Sequence, residues 1–271
     1  LMAIAAANIG FTVIVLDSKN NEARVPNRFD GRSYALALSS VRLLKNLNIF
    51  EDIIHKSQPI LDIKILDGKL VQGPSLFSLH FDNNEIHDGP MGQMVEDRFI
   101  REALFTKINK NDQIDYKFKS KVIEHKKQSG YISVTLDNGE KLNTKLLVGA
   151  DGRNSELADR AEIKKSGWKY NQSALVCAIK HEADHNGVAW QYFMPSGPLA
   201  VLPMTGNRSC IVWTEQDSNA NAINLFDETK YTKILAARLG NFLGEFKIIG
   251  DRHTYPLELS IADRFIDERL A

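Results

Sequence analysis

A chain of 271 residues, 43% of them hydrophobic, is long enough to bury one large core or two smaller ones. Lys+Arg and Asp+Glu both number 34, so the net charge is zero and the basic excess expected of a nucleic-acid binder is missing. Two cysteines, Cys177 and Cys210, are too few for a disulfide framework and are expected as reduced core residues in a reducing compartment.

No apolar run reaches the roughly 18 residues of a membrane span. Residues 1–7 are too short for a signal peptide, have no basic region before them, and read as the interior of a helix. The last three, Arg269-Leu270-Ala271, stop without a capping or turn signal, so both ends are expected to fall inside structure. In a reducing compartment the sequons at Asn171 and Asn207 are expected to be chance matches.

In chain order, residues 1–8 predict a small-residue helix closed by Gly10 as its C′ glycine. Residues 11–16 (FTVIVL) are a short, largely β-branched apolar run, the pattern of a strand buried on both faces in a parallel sheet. Asp17 stands at its carboxyl end. Helix, parallel strand and acid together make the second half of a βαβ unit. In a dinucleotide fold, an acid at that place accepts hydrogen bonds from the ribose hydroxyls. The glycine-rich loop stands about 20 residues earlier, which puts it just before Leu1. An Asp after a strand is also common in plain turns, and both readings stay open.

A polar segment, residues 18–30, leads to a predicted helix with Leu36, Val41, Leu44 and Leu47 as its apolar positions. Just before it, Arg32 in Asp30-Gly31-Arg32-Ser33 is placed either to clamp a pyrophosphate bidentately or to stand as a solvated arginine. Residues 60–81 alternate and are broken at Asp67-Gly68 and Gly73-Pro74, which predicts antiparallel strands. A second helix is expected from Asp97, as N-cap, to Ile108, with Ile100 and Leu104 on the same face.

The clearest local signal is a hairpin: Val134 and Leu136 alternate ahead of Asp137-Asn138-Gly139, and residues 142–148 return as a strand. That strand runs into Gly149-Ala150-Asp151-Gly152. An acid between glycines after a buried strand lets the backbone approach a ligand while the carboxylate meets its hydroxyls, with an ordinary Asp-Gly turn as the alternative. Ser155 is the expected N-cap of the next helix. Residues 173–215 read as strands with turns at 195–198 and 205–207. Residues 226–242 read as a helix with Tyr231, Ile234, Leu235 and Leu239 on one side.

His181-Glu182-Ala183-Asp184-His185 spells the H-E-x-x-H zinc pattern, which works only on a helix, where both imidazoles share a face. Here residues 174–180 read as a strand and Asn186-Gly187 as a turn. The expectation is therefore a polar strand end running into a loop, and no metal site.

Parallel βαβ pieces enclosing antiparallel strands imply two interleaved domains, one binding a nucleotide and one a mostly β layer capping it. Four stretches add a family resemblance. They are Asp30-Gly31-Arg32-Ser33 with residues 35–39 (ALALS); Val95-Glu96-Asp97-Arg98; Gly149-Ala150-Asp151-Gly152 with Ser155; and residues 193–203 (FMPSGPLAVLP) followed by Val212-Trp213-Thr214. With Tyr255-Pro256-Leu257 and Ala262, they resemble the FAD-dependent aromatic hydroxylases related to para-hydroxybenzoate hydroxylase. Within those, the chain is most similar to the branch that hydroxylates polyprenylated phenols in ubiquinone biosynthesis.

The resemblance implies a mixed α/β (α+β) fold, with a Rossmann-like FAD-binding domain interleaved with a mostly antiparallel β substrate domain. The expected boundaries are residues 1–58, 90–160 and 255–271 for the FAD-binding part, and 59–89 and 161–254 for the substrate layer. It implies that Asp17 holds the ribose and that Arg32 lies along the FAD diphosphate. Gln93 or Glu96, with Arg98, would sit near the ribityl chain and diphosphate, Val122 by the adenine, and Asp151 with Gly152 in a second flavin motif. The family's amino-terminal glycine loop and its later Gly-Asp motif have no counterpart in these residues, and Leu157-Ala158-Asp159 stands where the family usually has an arginine.

FAD is the implied cofactor and NAD(P)H the co-substrate, with O2 as oxidant and a small aromatic, prenylated phenol as substrate. No protein nucleophile is needed, because the cofactor carries the chemistry, so no catalytic residue is named. Trp190, Tyr192, Phe193 and Trp213 are candidates to line an apolar cleft, or else plain core. The expected location is cytoplasmic, peripheral to the inner membrane or within a ubiquinone-biosynthesis complex. The competing expectations are a flavin oxidoreductase of the same fold without ring hydroxylation, and a truncated, flavin-free binding protein.

Overall fold

A computed structural model describes residues 1–20, 28–69, 73–85 and 88–271, so part of the polar segment predicted at 18–30 lies outside the described residues. The elements run α1 (Met2–Asn8), β1 (Val13–Asp17), β2 (Ser33–Ala37), α2 (Leu38–Asn46), α3 (Phe50–Ile53), β3 (Ser57–Ile60), β4 (Asp62–Lys69), β5 (Gly73–Asp82) and β6 (Gly92–Glu96). They continue α4 (Asp97–Asn109), β7 (Ile114–Phe118), β8 (Val122–Gln128), β9 (Tyr131–Leu136), β10 (Lys141–Thr144), α5 (Glu156–Arg160), β11 (Lys165–His181) and β12 (Val188–Met194). The last are β13 (Gly197–Met204), β14 (Arg208–Gln216), α6 (Asp217–Asn224), α7 (Glu228–Leu239) and β15 (Phe246–Ala262). The result is the expected mixture of α/β pieces and antiparallel sheets.

The chain forms two compact units. The first comprises Leu1–Arg24, Ile108–Tyr170 and Glu258–Ala271; the second comprises Val25–Lys107 and Asn171–Leu257. In the first, α1 packs against β1, and β1 pairs with β7 in parallel, Val13 to Ile114 through Asp17 to Phe118. Parallel pairing of strands this far apart in sequence needs a long crossover, as the βαβ reading requires. The predicted burial on both faces is not found: Ile14 is 43% exposed. Among the described residues β1 has β7 as its one strand neighbour, so the pleat turns alternate side chains outward.

The hairpin forms as predicted. β9 pairs antiparallel with β8 and β10, and the Gly139 amide donates to the Leu136 carbonyl across the turn. Its interior residues Ile132, Val134 and Leu136 are buried. The return strand is shorter than expected and ends at Thr144. Beyond it, Leu147 makes an isolated bridge to Leu270, with Leu146 and Val148 exposed. The approach to Gly149 is therefore not a buried strand.

The second unit is built on a sheet of order β15-β11-β14-β13-β12-β4-β5. One face carries Leu175, Cys177, Ile179, Leu199, Val201, Ile211 and Trp213 under the apolar sides of α6 and α7, which supply Ile223, Tyr231 and Leu235. Cys177 and Cys210 are free and buried, and burial pushes the Cys177 thiol up to about 12. The other face contributes Ala178, Ala189, Met204 and Cys210 to a second cluster with Ile60 and Met94 of the three-stranded sheet β2-β6-β3.

Two local expectations change. Asp67-Gly68 lies inside β4, where the register against β5 shifts between Leu66 and Gly68, so it marks an irregularity in the pairing rather than a strand end. Residues 33–37, expected at the head of a helix, form β2, paired antiparallel with β6 from Ser33–Glu96 to Ala37–Gly92, and the helix begins at Leu38. Ala and Leu favour helix, and here long-range pairing overrides that preference.

Candidate cofactor site

In the first unit, strand β1 delivers Asp17 at its carboxyl end, as the sequence predicts. Its Oδ2 accepts from the Tyr116 hydroxyl (2.9 Å) on β7, and its Oδ1 accepts from the Lys19 amide (2.9 Å). A carboxylate has about four lone-pair positions, so two such bonds leave it able to accept from a pair of vicinal hydroxyls. The Ser120 amide donates to the Asp17 carbonyl (3.0 Å), which brings the start of β8, and with it Val122, alongside. Lys121 then pairs with Glu156 of α5 (2.7 Å). In this way β1, β8 and α5 are stitched together in one region.

At the head of α5, Ser155 is the N-cap, accepting from the Ala158 amide (3.0 Å) as expected. Asp151 accepts from the Leu157 amide (3.2 Å). Burial opposes the ionisation of Asp151, but the hydrogen bonds from Ser155 and from Leu157 outweigh it and hold the carboxyl below its usual range. Gly152 follows with φ +86°, a conformation that favours glycine. Asp151 thus already braces a helix start, in addition to any ligand contact.

In the second unit, β6 carries Gln93 and Glu96, Arg32 directly precedes the paired strand β2, and Arg98 follows β6 in the first turn of α4. Leu36 faces Gln93 and Ser33 faces Glu96, and the Asp97 amide donates to the Arg32 carbonyl (3.1 Å). Arg32 therefore precedes a strand, not the helix expected from sequence. Its guanidinium binds Asp30 (Nε 2.7 Å, Nη2 2.6 Å) and lies 3.4 Å from Asp97. The hydrogen bond that Arg32 donates to Asp30 raises the Arg32 pKa further, against the opposing effect of burial. Asp97, expected as an N-cap, is the first residue of α4, and its Oδ2 accepts from Arg101 (2.7 Å).

Gln93 is buried and accepts from Ser57 (3.0 Å). Glu96 is 2% exposed: its Oε2 accepts from Arg98 (2.7 Å), and its Oε1 lies 2.8 Å from Arg208 Nη1. That second approach is a charge contact only, since Oε1 has no aligned hydrogen-bond donor. Arg98 and Arg208 both lie near the Phe29 ring, 5.9 Å and 5.5 Å from its centroid. Glu96 is thus turned inward as a brace for two arginines.

Each unit, taken by itself, carries groups with the chemistry that part of a nucleotide needs. The Asp17 carboxylate is an acceptor for sugar hydroxyls, while the partly exposed guanidiniums of Arg32 and Arg98 suit phosphate oxygens.

Of the four aromatic residues expected to line a cleft, Tyr192 and Trp213 belong to the core under α6 and α7, and Trp190 packs against it. Phe193 is 54% exposed. The alternation of β12 explains the split, because Tyr192 and Phe193 point to opposite faces.

The two histidines of the H-E-x-x-H run have their nitrogens engaged within the protein. His181 Nδ1 is 2.8 Å from the Ala183 carbonyl, to which it donates, and its Nε2 accepts from Ser209 (2.9 Å). His185 Nε2 faces the carbonyls of Met204 and Gly206, and its Nδ1 accepts from the Gly187 amide. His181 ends β11, so the pair does not share a helix face.

Sequence reading missed Tyr116, Phe29, Arg208 and the 250–253 stretch of β15, all of which act across long sequence separations. Gly250, within β15, was the one local cue, since a glycine inside a strand often marks a close backbone approach.

A parallel strand pair that ends in an acid, beside antiparallel sheets, is the pattern of a nucleotide-binding protein. The chain belongs to the FAD binding domain family, whose profile matches residues 2–270. It is 37% identical over 270 residues to the ubiquinone hydroxylase UbiL of Rhodospirillum rubrum, covering 100% of this chain and 62% of that protein. It is 27% identical over 247 residues to the 3-demethoxyubiquinol 3-hydroxylase of Escherichia coli, covering 88% of this chain and 61% of that one. The chain therefore spans about three fifths of the length of these relatives.

Among solved structures, it is similar to PqsL, a probable FAD-dependent monooxygenase from Pseudomonas aeruginosa. The TM-score is 0.78 at 17% identity, over 100% of this chain and 73% of that one. It is also similar to the p-nitrophenol 4-monooxygenase PnpA of Pseudomonas putida DLL-E4, with a TM-score of 0.75 at 15% identity, over 99% of this chain and 67% of that one. At those identities the likeness is one of fold.

Proposed function

We propose that this chain is the larger part of a flavin-dependent monooxygenase that hydroxylates the ring of a prenylated phenol in ubiquinone biosynthesis, with NAD(P)H as reductant and O2 as oxidant. The observation that carries the reading is the 37% identity to a ubiquinone hydroxylase along the full length of the chain. FAD, when bound, supplies the two-electron redox chemistry and the activation of dioxygen.

The chain's own residues bind and orient. Asp17 accepts the ribose hydroxyls, and Val122, on the adjacent β8, lies against the adenine. Arg32 and Arg98 carry the diphosphate charge, with Gln93 and the Glu96 brace beside them. Asp151 and Gly152 form the second flavin motif. In this reading residues 1–58, 90–160 and 255–271 form the FAD-binding part, and residues 59–89 and 161–254 form the substrate layer. Phe193, exposed near the end of β12, is the aromatic residue that would meet an apolar substrate.

Among the described residues no helix is long and apolar enough to cross a membrane. A prenylated substrate is delivered from a bilayer, so the reading includes peripheral contact with the inner membrane, or with other enzymes of the pathway.

The test is NAD(P)H-dependent O2 consumption by the purified flavoprotein with a short-chain prenylphenol, the product being followed by mass. A gain of one oxygen supports the proposal. NAD(P)H oxidation with an unmodified phenol, whatever the prenyl length, would instead indicate an oxidoreductase of the same fold.

A further inference from the structure

We infer that the Gly250–His253 stretch of β15 positions Arg32, with His253 acting as a positioning residue for that guanidinium. The inference rests on the proposal that Arg32 meets the cofactor phosphates.

Two backbones cross here with no room for a side chain on either. Gly31 has φ +92°, and a Cβ there would lie 2.7 Å from the Asp251 carbonyl oxygen. Gly250 has φ +73°, and its Cβ would lie 2.7 Å from the Gly31 nitrogen and 3.0 Å from the Asp30 carbonyl carbon. Both positions thus require glycine for conformation and for space at once.

The crossing is closed by polar contacts on each side. The Asp30 carbonyl accepts from the Asp251 amide (3.1 Å) and from His253 Nε2 (2.8 Å). A carbonyl only accepts, so the imidazole carries its proton on Nε2. Arg28 Nη2 reaches both oxygens of the Asp251 carboxylate (3.2 and 3.0 Å).

The hold passes from there to the site. The carboxylate of the same Asp30 accepts from the Arg32 amide (3.0 Å) and from Arg32 Nε (2.7 Å). A displaced Asp30 backbone therefore shifts the partner that fixes the guanidinium plane. Asp97 touches Arg32 from the α4 side, which leaves Asp30 as the closer anchor. A guanidinium fixed before the ligand arrives has less side-chain freedom to lose on binding.

The test is FAD affinity, measured by flavin fluorescence quenching in the purified apoprotein, for His253→Phe, His253→Gln, Arg32→Ala and the double variant His253→Phe/Arg32→Ala. His253→Phe keeps a ring and removes the donor. It should weaken FAD binding about three- to tenfold, the scale of one side chain's ordering cost. His253→Gln, which restores an N–H donor, should recover most of the loss. In the Arg32→Ala background, His253→Phe should add nothing, because the two act as one unit.

Equal factors for His253→Phe with and without Arg32, or a wild-type affinity for His253→Phe, would overturn the inference and leave the site assignment standing. No change for Arg32→Ala itself would overturn the site assignment, and the inference with it. Gly250→Ala, followed by circular dichroism, reports the steric part separately. An unchanged melting temperature would contradict the crowding described for the crossing.

Discussion

The buried carboxylate of Glu96 offers a perturbation whose size can be worked from its surroundings. Glu96→Gln keeps the volume and one acceptor oxygen but removes the charge that two arginines share. The Glu96 side chain is 3% exposed, whereas Arg98 and Arg208 are 30% and 23% exposed. Breaking a fully buried ion pair costs about 3–5 kcal/mol because a charge is left uncompensated. Here both cations keep some water, and Arg208 keeps its bonds to Thr205. The expected cost is therefore lower, about 2 kcal/mol. For a protein of this size, about 2–4 °C of melting temperature accompanies each kcal/mol, so the shift should be about 4–8 °C. Thermal denaturation of the apoprotein by circular dichroism is the assay. A pair this buried is weakly screened, so the shift should persist in high salt. A change below about 1 °C would refute the argument that Glu96 braces the two arginines.

Three further outcomes follow from the same geometry. Arg32→Ala should weaken FAD binding roughly 10- to 150-fold, the equivalent of one charge-assisted hydrogen bond of about 1.5–3 kcal/mol, with the fold intact by circular dichroism. Asp151→Ala removes an acceptor from the start of α5 and should lower both flavin affinity and melting temperature, whereas Lys45→Ala should change neither. His181 has its pKa lowered by burial and is held neutral, with Nε2 accepting from Ser209. Its stabilising contribution is complete above the unfolded value of about 6.5 and is lost as pH falls through the lower folded value. Urea midpoints should therefore drop from pH 7.5 to pH 5.5 by more in the wild type than in His181→Ala, and that variant should retain its flavin.

What the sequence discloses and what it hides follow one physical line. The hairpin at Asp137-Asn138-Gly139 and the Ser155 cap are set by neighbours a few residues away, so their signals sit in short windows; β1 pairs with the distant β7, but its β-branched run already favours a strand. Residues 33–37 mislead, because Ala and Leu favour helix and the strand exists only through pairing with Gly92–Glu96. Asp17, Arg32 and Asp151 stand out as acids or cations beside glycines and strand ends. Their supports do not, since Tyr116, Arg208 and His253 reach them or their neighbours only once the chain has folded. The aromatic residues fail as a guide for the same reason. Tyr192 and Phe193 are adjacent in sequence, and only the sheet decides which is core and which faces outward.

The most direct test of the proposed chemistry uses 18O2 with the purified flavoprotein, NAD(P)H and a prenylated phenol, the product being read by mass spectrometry. One 18O atom is expected in the ring hydroxyl, and no label when 18O is supplied as water. A hydroxyl oxygen derived from water, or NAD(P)H consumed with no oxygen entering the phenol, would contradict that chemistry.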